Sequence, residues 1–337
     1  MKSSEFEHQP DAAPATSRKQ VIGKWLSILL PLVLGFGLIY YQYNQFTPQQ
    51  LREIKSYFVT ADYFYIALSL VIALFGFLSR GFRWKYSLAH MGYESRFSNN
   101  VLSVCIGYFI NLTIPRSGEI SRALLVRKYD NIPFDKAFGT IVAERLIDFM
   151  IFLLFVLATL IFQFDVLKSF ILSTIPVRQL FWLGLGAAGF MSVLILVWIY
   201  AEWNIIIRLK NKVSGLTEGI KSVFVMENRW AFVMHSFFIW FTYFLMFYVT
   251  IFALPETSSI GIGAVITAFV FGSLAIGFTN SGFGAYPLLI AQIFTLYGVP
   301  DTAGTAFGWL VWTSQTLLII ALGLVSFALL PLVNRKK

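Results

Sequence analysis

The chain has 337 residues, of which 57% are hydrophobic and only 13% are charged, whereas soluble domains carry about 25% charged residues. Apolar runs of about 20 residues, the length that crosses a bilayer, recur along it. This composition excludes a soluble enzyme and a protein with a single membrane anchor, because the longest polar stretch, 201–230, is too short for a separate domain. The single cysteine, Cys105, excludes disulfides, and the three scattered histidines argue against a His/Cys metal cage, so no metal or cofactor is predicted.

The formal charge of +9 suggests nucleic acid, but the basic residues lie between apolar segments, which is how a polytopic membrane protein sets its orientation. We therefore predict no nucleic-acid partner. Residues 1–22 are predicted to be a disordered cytoplasmic tail, residues 23–331 the transmembrane domain, and residues 332–337 a short basic cytoplasmic tail.

The apolar runs predict an all-α polytopic membrane protein with about six transmembrane helices. In chain order they cover residues 23–41, 63–80, 137–162, 180–200, 231–253 and 305–330.

Two further apolar segments are interrupted. The first runs over 98–114, breaks at 114–118 and continues to residue 128; the second runs over 260–279, breaks at 280–284 and continues to residue 299. The part over 100–114 would be only ~22 Å long as a helix, whereas the hydrocarbon core is about 30 Å thick. Each segment is therefore predicted to be a re-entrant hairpin of two half-helices.

The two hairpins occupy matching places in the halves 63–162 and 231–330, which predicts an inverted repeat. Paired interruptions of this kind indicate a transporter site at the repeat interface, although coincidental loop lengths remain an alternative. With both termini in the cytoplasm, 21 Lys and Arg residues, among them Arg80, Arg83 and Arg122, fall on that side and 4 on the outer side, and Arg145 lies within a span.

Three charged residues lie within the predicted span 137–162: Glu144, Arg145 and Asp148. Charges inside the hydrocarbon cost roughly 2.5–3.5 kcal/mol each, so they require partners or a water-filled cavity. Glu144 and Asp148 share a helix face at i, i+4, and Arg145 reaches Asp148 at i, i+3.

The first hairpin supplies a complementary set. Its break contains Arg116 and Gly118, and the next helix opens with Glu119 and Arg122. Unpaired N–H groups at a helix start, beside two arginines, predict an anion site suited to a phosphate. The charges would seat an anionic phosphate or a headgroup of both signs; a buried ion-pair network that only braces the helices is the alternative.

The second break carries no charge. Asn280 and Ser281 offer amide and hydroxyl groups, and Gly282 and Gly284 allow close backbone approach. Gln315 is a polar residue in the following span, and ordinary hydrogen bonding between helices is the alternative explanation for it. These five residues complete the predicted substrate site.

The segment 111–122, Asn-Leu-Thr-Ile-Pro-Arg-Ser-Gly-Glu-Ile-Ser-Arg, followed by Ala-Glu-Arg-Leu-Ile-Asp at 143–148, resembles the lysylphosphatidylglycerol synthase transmembrane-region family of bacterial flippase-like proteins. The Gly-Phe-Gly at 282–284 is similar as well, and the resemblance covers about residues 20–330. It implies an integral inner-membrane protein that moves lipids or lipid-linked headgroups between leaflets. Its functional candidates, carried over by position, are Arg116, Gly118, Glu119, Arg122, Glu144, Arg145 and Asp148.

The chain departs from the family in two ways. Ala-Tyr-Pro at 285–287 stands where the family usually has a glutamate, and the soluble aminoacyl-transferase domain of larger members is missing from these 337 residues. A stand-alone member is therefore expected, one that does not transfer lysine to lipid by itself.

The leading functional prediction is translocation of a phospholipid or polyprenyl-phosphate-type headgroup, in a bacterial cytoplasmic membrane with both termini inside. Two alternatives remain open. One is a membrane-embedded transferase that modifies lipid or glycan, in which Glu144 and Asp148 would act as acid and base. The other is a scaffold partner of a cell-envelope glycosyltransferase. The expected partners are membrane lipids, with a lipid-modifying enzyme or glycosyltransferase left open.

Overall fold

The computed structural model describes residues 18–166 and 225–335, with side chains from residue 29 onward, and only isolated residues between 167 and 224. Only scattered residues of the predicted span 180–200 are described, and most of the flanking segments 163–180 and 201–230 lie outside the described residues, as do both chain ends. Every regular element in the described part is helical, which confirms the all-α class.

The described ranges contain eleven α-helices, and a short 3₁₀ turn follows the seventh at Ile251–Ala253. In chain order they are α1 Arg18–Gln45, α2 Pro48–Thr60, α3 Tyr63–His90, α4 Phe97–Thr113, α5 Gly118–Asp130, α6 Phe134–Phe162, α7 Arg229–Thr250, α8 Pro255–Ser258, α9 Ile262–Phe278, α10 Ala285–Thr295 and α11 Asp301–Val333. The first helix, α1, begins at Arg18 and so includes the last residues of the segment 1–22 that was predicted to be a tail.

Four segments in the described part are long and apolar enough to cross a membrane: Tyr63–His90, Phe134–Phe162, Arg229–Ala253 and Asp301–Val333. They contain four of the six predicted spans, and the predicted span 23–41 lies within α1. The chain is thus a multi-pass membrane protein.

Both interrupted segments are pairs of packed helices separated by a break, as the sequence predicts. In the α4–α5 hairpin, Pro115 has no N–H for the next helical hydrogen bond, and Arg116 follows with a φ of 62°. In the α9–α10 hairpin, Ser281, Gly282 and Gly284 all have positive φ angles. The chain therefore turns back at each break.

The two halves pack against each other through α3 and α7, which run antiparallel. At one end the N–H of Asp62, just before α3, donates to the carbonyl of Ala253 at 2.9 Å. Farther along, Arg83 of α3 donates to Ser236 of α7 at 3.2 Å. The first long helix of each half is therefore the central contact between the halves.

Each hairpin packs against the last long helix of the other half of the chain. In the first half, Asn99 at the start of α4 donates to Asn334, just after α11, at 3.1 Å, and Phe109 packs edge-on against Phe327 of α11. The α9 helix makes the corresponding contact with α6, because the rings of Phe155 and Phe269 lie 5.2 Å apart. The last long helix of each half thus packs against the hairpin of the other half.

The hydrophobic core of the second half is aromatic. Phe247 of α7, Phe294 of α10 and Phe307 of α11 meet there, and the ring centroids of Phe294 and Phe307 are 5.1 Å apart. The first half has a smaller core around Trp84 and Ile141, which are both fully buried. The ring of Trp84 in this core also contacts the guanidinium of Arg122.

Candidate functional site

The charged residues of α6 lie near the middle of this 29-residue helix. Glu144 is fully buried and Asp148 is 5% exposed, so both carboxylates point into the helix bundle. Arg145 pairs with Asp148 at 3.5 Å, which confirms the contact expected from their i, i+3 spacing. A helix long and apolar enough to cross a membrane thus carries three charged side chains at mid-length.

Two arginines of α3 provide most of the positive charge around these carboxylates. Arg80 and Arg83 are 2% and 0% exposed, and α3 continues past both of them to His90. The sequence prediction ended this span at residue 80 and placed Arg83 in a cytoplasmic loop, which was wrong. Their i, i+3 spacing, which puts both on one helix face, was the signal that could have revealed them.

Arg83 holds both carboxylates. Its two Nη atoms donate to the two carboxylate oxygens of Asp148, and Nη2 also lies 3.4 Å from Glu144. Arg80 binds the same Asp148 at 3.2 Å, and its Nε donates to the hydroxyl of Tyr243 at 2.8 Å. Because a guanidinium matches a carboxylate in a two-pronged geometry, α3 and α6 are joined specifically here.

Arg122 of α5 approaches from the hairpin. It is 3% exposed, pairs with Glu144 at 3.3 Å and lies over the ring of Trp84 at 4.2 Å. Its stem packs against Gly107 of α4, where an added Cβ would lie 2.9 Å from Arg122 Cγ. The hairpin therefore brings Arg122 to Glu144, one of the two carboxylates of α6.

The rim of the site is formed by Arg145 and Glu119, whose closest atoms are 3.5 Å apart. The Arg145 side chain is 37% exposed and that of Glu119 is 25% exposed, in contrast to the buried arginines behind them. We call the set Arg80, Arg83, Glu119, Arg122, Glu144, Arg145 and Asp148 the arginine–carboxylate network. Its rim is the part that solvent or a ligand reaches first.

The start of α5 is already capped by a protein side chain. Asn111 of α4 accepts a hydrogen bond from the N–H of Gly118 at 2.7 Å, and its own Nδ2 lies 3.4 Å from Glu119. The sequence prediction assumed that this N–H is free to bind a phosphate, but Asn111 already accepts its hydrogen bond. A Cβ at Gly118 would collide with the carbonyl of Gly107, so the glycine allows the two half-helices to touch.

Arg116 lies outside the arginine–carboxylate network. It is exposed within the break, whereas Arg122 is buried one turn into α5. That the two arginines together form one anion site stays a prediction: Arg116 lies in the exposed turn, and Arg122 lies against Glu144. Arg80, Arg83 and Arg122 were also counted among the cytoplasmic basic residues; without them the bias is 18 to 4.

The second break meets the first one. Asn280 is 7% exposed, and its Nδ2 donates to the carbonyl of Leu112 near the end of α4 at 3.1 Å. Trp312 donates to the carbonyl of Ser281 at 2.8 Å, which ties this break to α11. The two hairpin tips are therefore in direct contact.

The other predicted residues of the second break serve close packing. Gly284 lies against the backbone of Gly35 in α1, where a Cβ would not fit, and the N–H of Gly282 donates to Thr279 at 3.1 Å. Gln315 lies half-buried on α11, three residues after Trp312. The described structure brings none of these three into contact with the arginine–carboxylate network.

The network carries more positive than negative charge. It contains four arginines and three carboxylates, and Arg122 Nε, Arg122 Nη1 and Glu144 Oε1 have no hydrogen-bond partner among the described residues. Within the same described part, no three His, Cys, Asp or Glu side chains are arranged to hold a metal ion. The excess of arginines favours an anion over a cation at this site.

The family profile of the lysylphosphatidylglycerol synthase transmembrane region matches residues 28–323, which include both hairpins and the whole network. The chain belongs to this family. The UPF0104 membrane protein MJ1595 of Methanocaldococcus jannaschii is 24% identical over 286 residues, which cover 76% of this chain and 82% of that protein. The resemblance in the sequence motifs is thus confirmed.

A shorter similarity links the chain to the glycosyltransferase AglD of Haloferax volcanii. The two are 29% identical over 99 residues, which are 29% of this chain and 16% of AglD. No solved structure matches the chain significantly.

Proposed function

We propose that this protein moves the headgroup of a phospholipid or a lipid-linked anionic or zwitterionic compound between the two membrane leaflets. The observation that carries the proposal is the arginine–carboxylate network itself: a buried polar site in helices long enough to span a membrane, with unpaired donors and a partly exposed rim. A headgroup needs such a polar site on its way through the hydrocarbon.

A network that only braces the helices would have a different composition. Each intramembrane charge is costly, and a brace reaches its lowest energy when every charge is paired. Here the positive charge is in excess, and Arg122 and Glu144 keep unpaired atoms although both are at least nine-tenths buried. A ligand that supplies the missing partners explains both features.

The arrangement of the two halves supports alternating access. We propose that the halves form an inverted repeat, because the corresponding helices α3 and α7 run antiparallel and the hairpins exchange partners between halves. In this proposal both hairpins re-enter the membrane surface that they leave, and the termini lie in the cytoplasm. Hairpin tips that touch, through Asn280 and Leu112, would couple the movements of the two halves.

The lipid tail also has a possible path. A groove of about 760 Å³ opens between α6 and α7, and its lining includes Ile151, Phe155, Val233 and Trp240. Ile151 lies three residues after Asp148, which is about one helical turn. A headgroup at the network would therefore have an apolar surface beside it for its acyl chains.

The test is a leaflet assay with purified protein in vesicles that carry a fluorescent phospholipid. If the proposal is correct, dithionite bleaches the inner-leaflet fraction faster in proteoliposomes than in empty vesicles, and mass spectrometry finds the lipids chemically unchanged. Accelerated conversion of the lipid without movement would favour the transferase alternative. Vesicles that show neither movement nor conversion of the lipid would contradict translocation.

The similarity to AglD favours a second candidate, association with a glycosyltransferase. In this case the transmembrane domain would hold a lipid-linked acceptor for an enzyme that acts on it. Co-purification of a glycosyltransferase whose activity drops when this protein is removed would support the second candidate, even if vesicles show no movement.

A further inference from the structure

We infer that two polar latches, one at each membrane surface, hold the two hairpins closed and open in alternation. The inference rests on the proposed function, since alternating access requires a path that opens on one side of the membrane at a time. Each latch joins the residue directly after the last long helix of one half to the hairpin of the other half. The inner latch consists of Asn99, Asp130 and Asn334, and the outer latch consists of Gln163, Thr267 and Tyr297.

The inner latch is a pair of amides with a carboxylate beside it. Asn99 of α4 and Asn334 exchange two hydrogen bonds: Asn99 Nδ2 donates at 3.1 Å, and Asn334 Nδ2 donates back at 2.7 Å. Asn99 is fully buried and also donates to Asp130, the last residue of α5, at 2.8 Å. The end of α11 is therefore tied to both half-helices of the first hairpin, at the ends that lie away from the break.

The outer latch repeats this plan with other side chains. Gln163, directly after α6, accepts a hydrogen bond from the hydroxyl of Tyr297 at 3.0 Å, and the same hydroxyl lies 3.1 Å from that of Thr267 in α9. The Gln163 side chain also lies against Gly263, where an added Cβ would collide with it. The end of α6 is therefore tied to α9 and to the segment just after α10.

The two latches occupy matching places in the chain. Asn334 and Gln163 are both the capping residue that ends a long helix, and Asn99 and Thr267 both lie in the first two turns of a half-helix. Equivalent positions of an inverted repeat lie at opposite membrane surfaces. In the proposed topology Asn334 is cytoplasmic and Gln163 lies outside, so one latch closes each surface.

The chemistry of the latches suits reversible opening. All of their side chains except Asp130 are neutral amides or hydroxyls, which water can satisfy when a latch opens at the membrane surface. The pair between Arg83 and Asp148 is of the opposite kind, because both groups are buried and their separation would leave uncompensated charges. The hairpins therefore separate from the long helices more easily at the latches than at the arginine–carboxylate network.

Two buried positions report on opening at the two sides. Cys105, the single cysteine, is 4% exposed on α4 and interacts with Ser326 of α11, so it lies in the interface that the inner latch closes. Thr159 is 3% exposed on α6, about one turn after Phe155, which packs against Phe269 of α9. Thr159→Cys in a Cys105→Ser background therefore reports on the interface that the outer latch closes.

The test is the rate at which N-ethylmaleimide labels each of these two cysteines in the purified full chain in detergent. Asn334→Ala should raise the labelling rate of Cys105 about threefold to tenfold, the effect of losing neutral hydrogen bonds, and should leave the rate of Thr159→Cys unchanged. Tyr297→Phe removes one hydroxyl from the outer latch and should do the reverse. The double dissociation separates opening at one surface from general loosening of the protein.

Asn228→Ala and Tyr248→Phe are the matched controls, because neither side chain makes a hydrogen bond within the described part of the chain. Neither control should change either labelling rate. Faster labelling of both cysteines by one latch substitution would overturn the inference, and so would unchanged rates in both latch variants. If Asn334→Ala does not fold, Tyr297→Phe decides alone, because it keeps the ring and its packing.

The labelling pattern is measured without lipid movement, so the inference and the proposed function can fail separately. Leaflet movement by the wild type without this pattern would overturn the latches and leave the proposed function standing. The pattern in a protein that moves no lipid would support the latches and contradict translocation.

Discussion

Arg83 and Arg145 both pair with Asp148, but their surroundings give them different roles. Arg83 is fully buried and contacts both carboxylates of α6, whereas Arg145 lies at the rim with a 37% exposed side chain. Removing one partner of a buried ion pair leaves an uncompensated charge, which costs about 3–5 kcal/mol. Removing Arg145 leaves Glu119 within reach of water, and Asp148 keeps Arg80 and Arg83 as partners.

The first prediction follows from this difference. Arg83→Gln should lower the thermal unfolding temperature and the yield of monodisperse protein in detergent, since Glu144 and Asp148 lose their shared partner. Arg145→Gln should unfold close to the wild-type temperature. Size-exclusion chromatography after a heating series measures both variants, and equal destabilisation of the two would contradict the division of roles.

At the scale of the elements, the α4–α5 hairpin leaves no room for a side chain at Gly118. Gly118 and Gly107 let the two half-helices touch, and this contact brings Arg122 against Glu144. A side chain at Gly118 would separate the helices at the carbonyl of Gly107. The position of a charged residue on α5 therefore depends on a backbone contact made by two glycines.

We predict that Gly118→Ala destabilises the protein by about 1–3 kcal/mol, the usual cost of overpacking. Gly139→Ala in α6 is the matched control, because a Cβ there meets no described atom within 4 Å and alanine favours the helix. Thermal unfolding in the same detergent compares the two variants. A Gly118→Ala protein as stable as Gly139→Ala would show that the hairpin is loosely packed.

The sequence predicted the elements better than the site. Pro115 and the glycines of the second break interrupt helices for local reasons, so both hairpins could be located by reading along the chain. Arg80 and Arg83 were missed because a span was ended at its first arginine, whereas burial of an arginine depends on a carboxylate from another helix. Nearness in sequence to Arg122 likewise does not determine where a turn directs the side chain of Arg116, which is exposed in the break.

Across the whole molecule, the charged network and the aromatic core lie in different halves of the chain. The charged network lies in the first half and reaches the second through α7, where Ser236 and Tyr243 bind Arg83 and Arg80. The second half instead has an aromatic core around Phe294 and Phe307. We therefore expect the second half to act as a frame against which the charged half moves.

The proposed topology gives a prediction at this scale. In a Cys105→Ser background, Lys55→Cys in α2 should react with an impermeant maleimide added outside the cell. Glu94→Cys, in the loop between α3 and α4, should react only after permeabilisation. Both positions are exposed, so accessibility alone does not distinguish them. Labelling of residue 94 in intact cells would contradict the assignment of this loop to the cytoplasm.

The most direct test of the central claim is the initial rate of phospholipid movement in proteoliposomes of wild type, Arg145→Gln and Arg127→Gln. If the arginine–carboxylate network carries the headgroup, the wild type and Arg127→Gln should accelerate movement equally over empty vesicles. Arg145→Gln should lose at least about nine-tenths of this acceleration, because one charge-assisted contact is worth tenfold or more. Movement by folded Arg145→Gln at the wild-type rate would contradict the account.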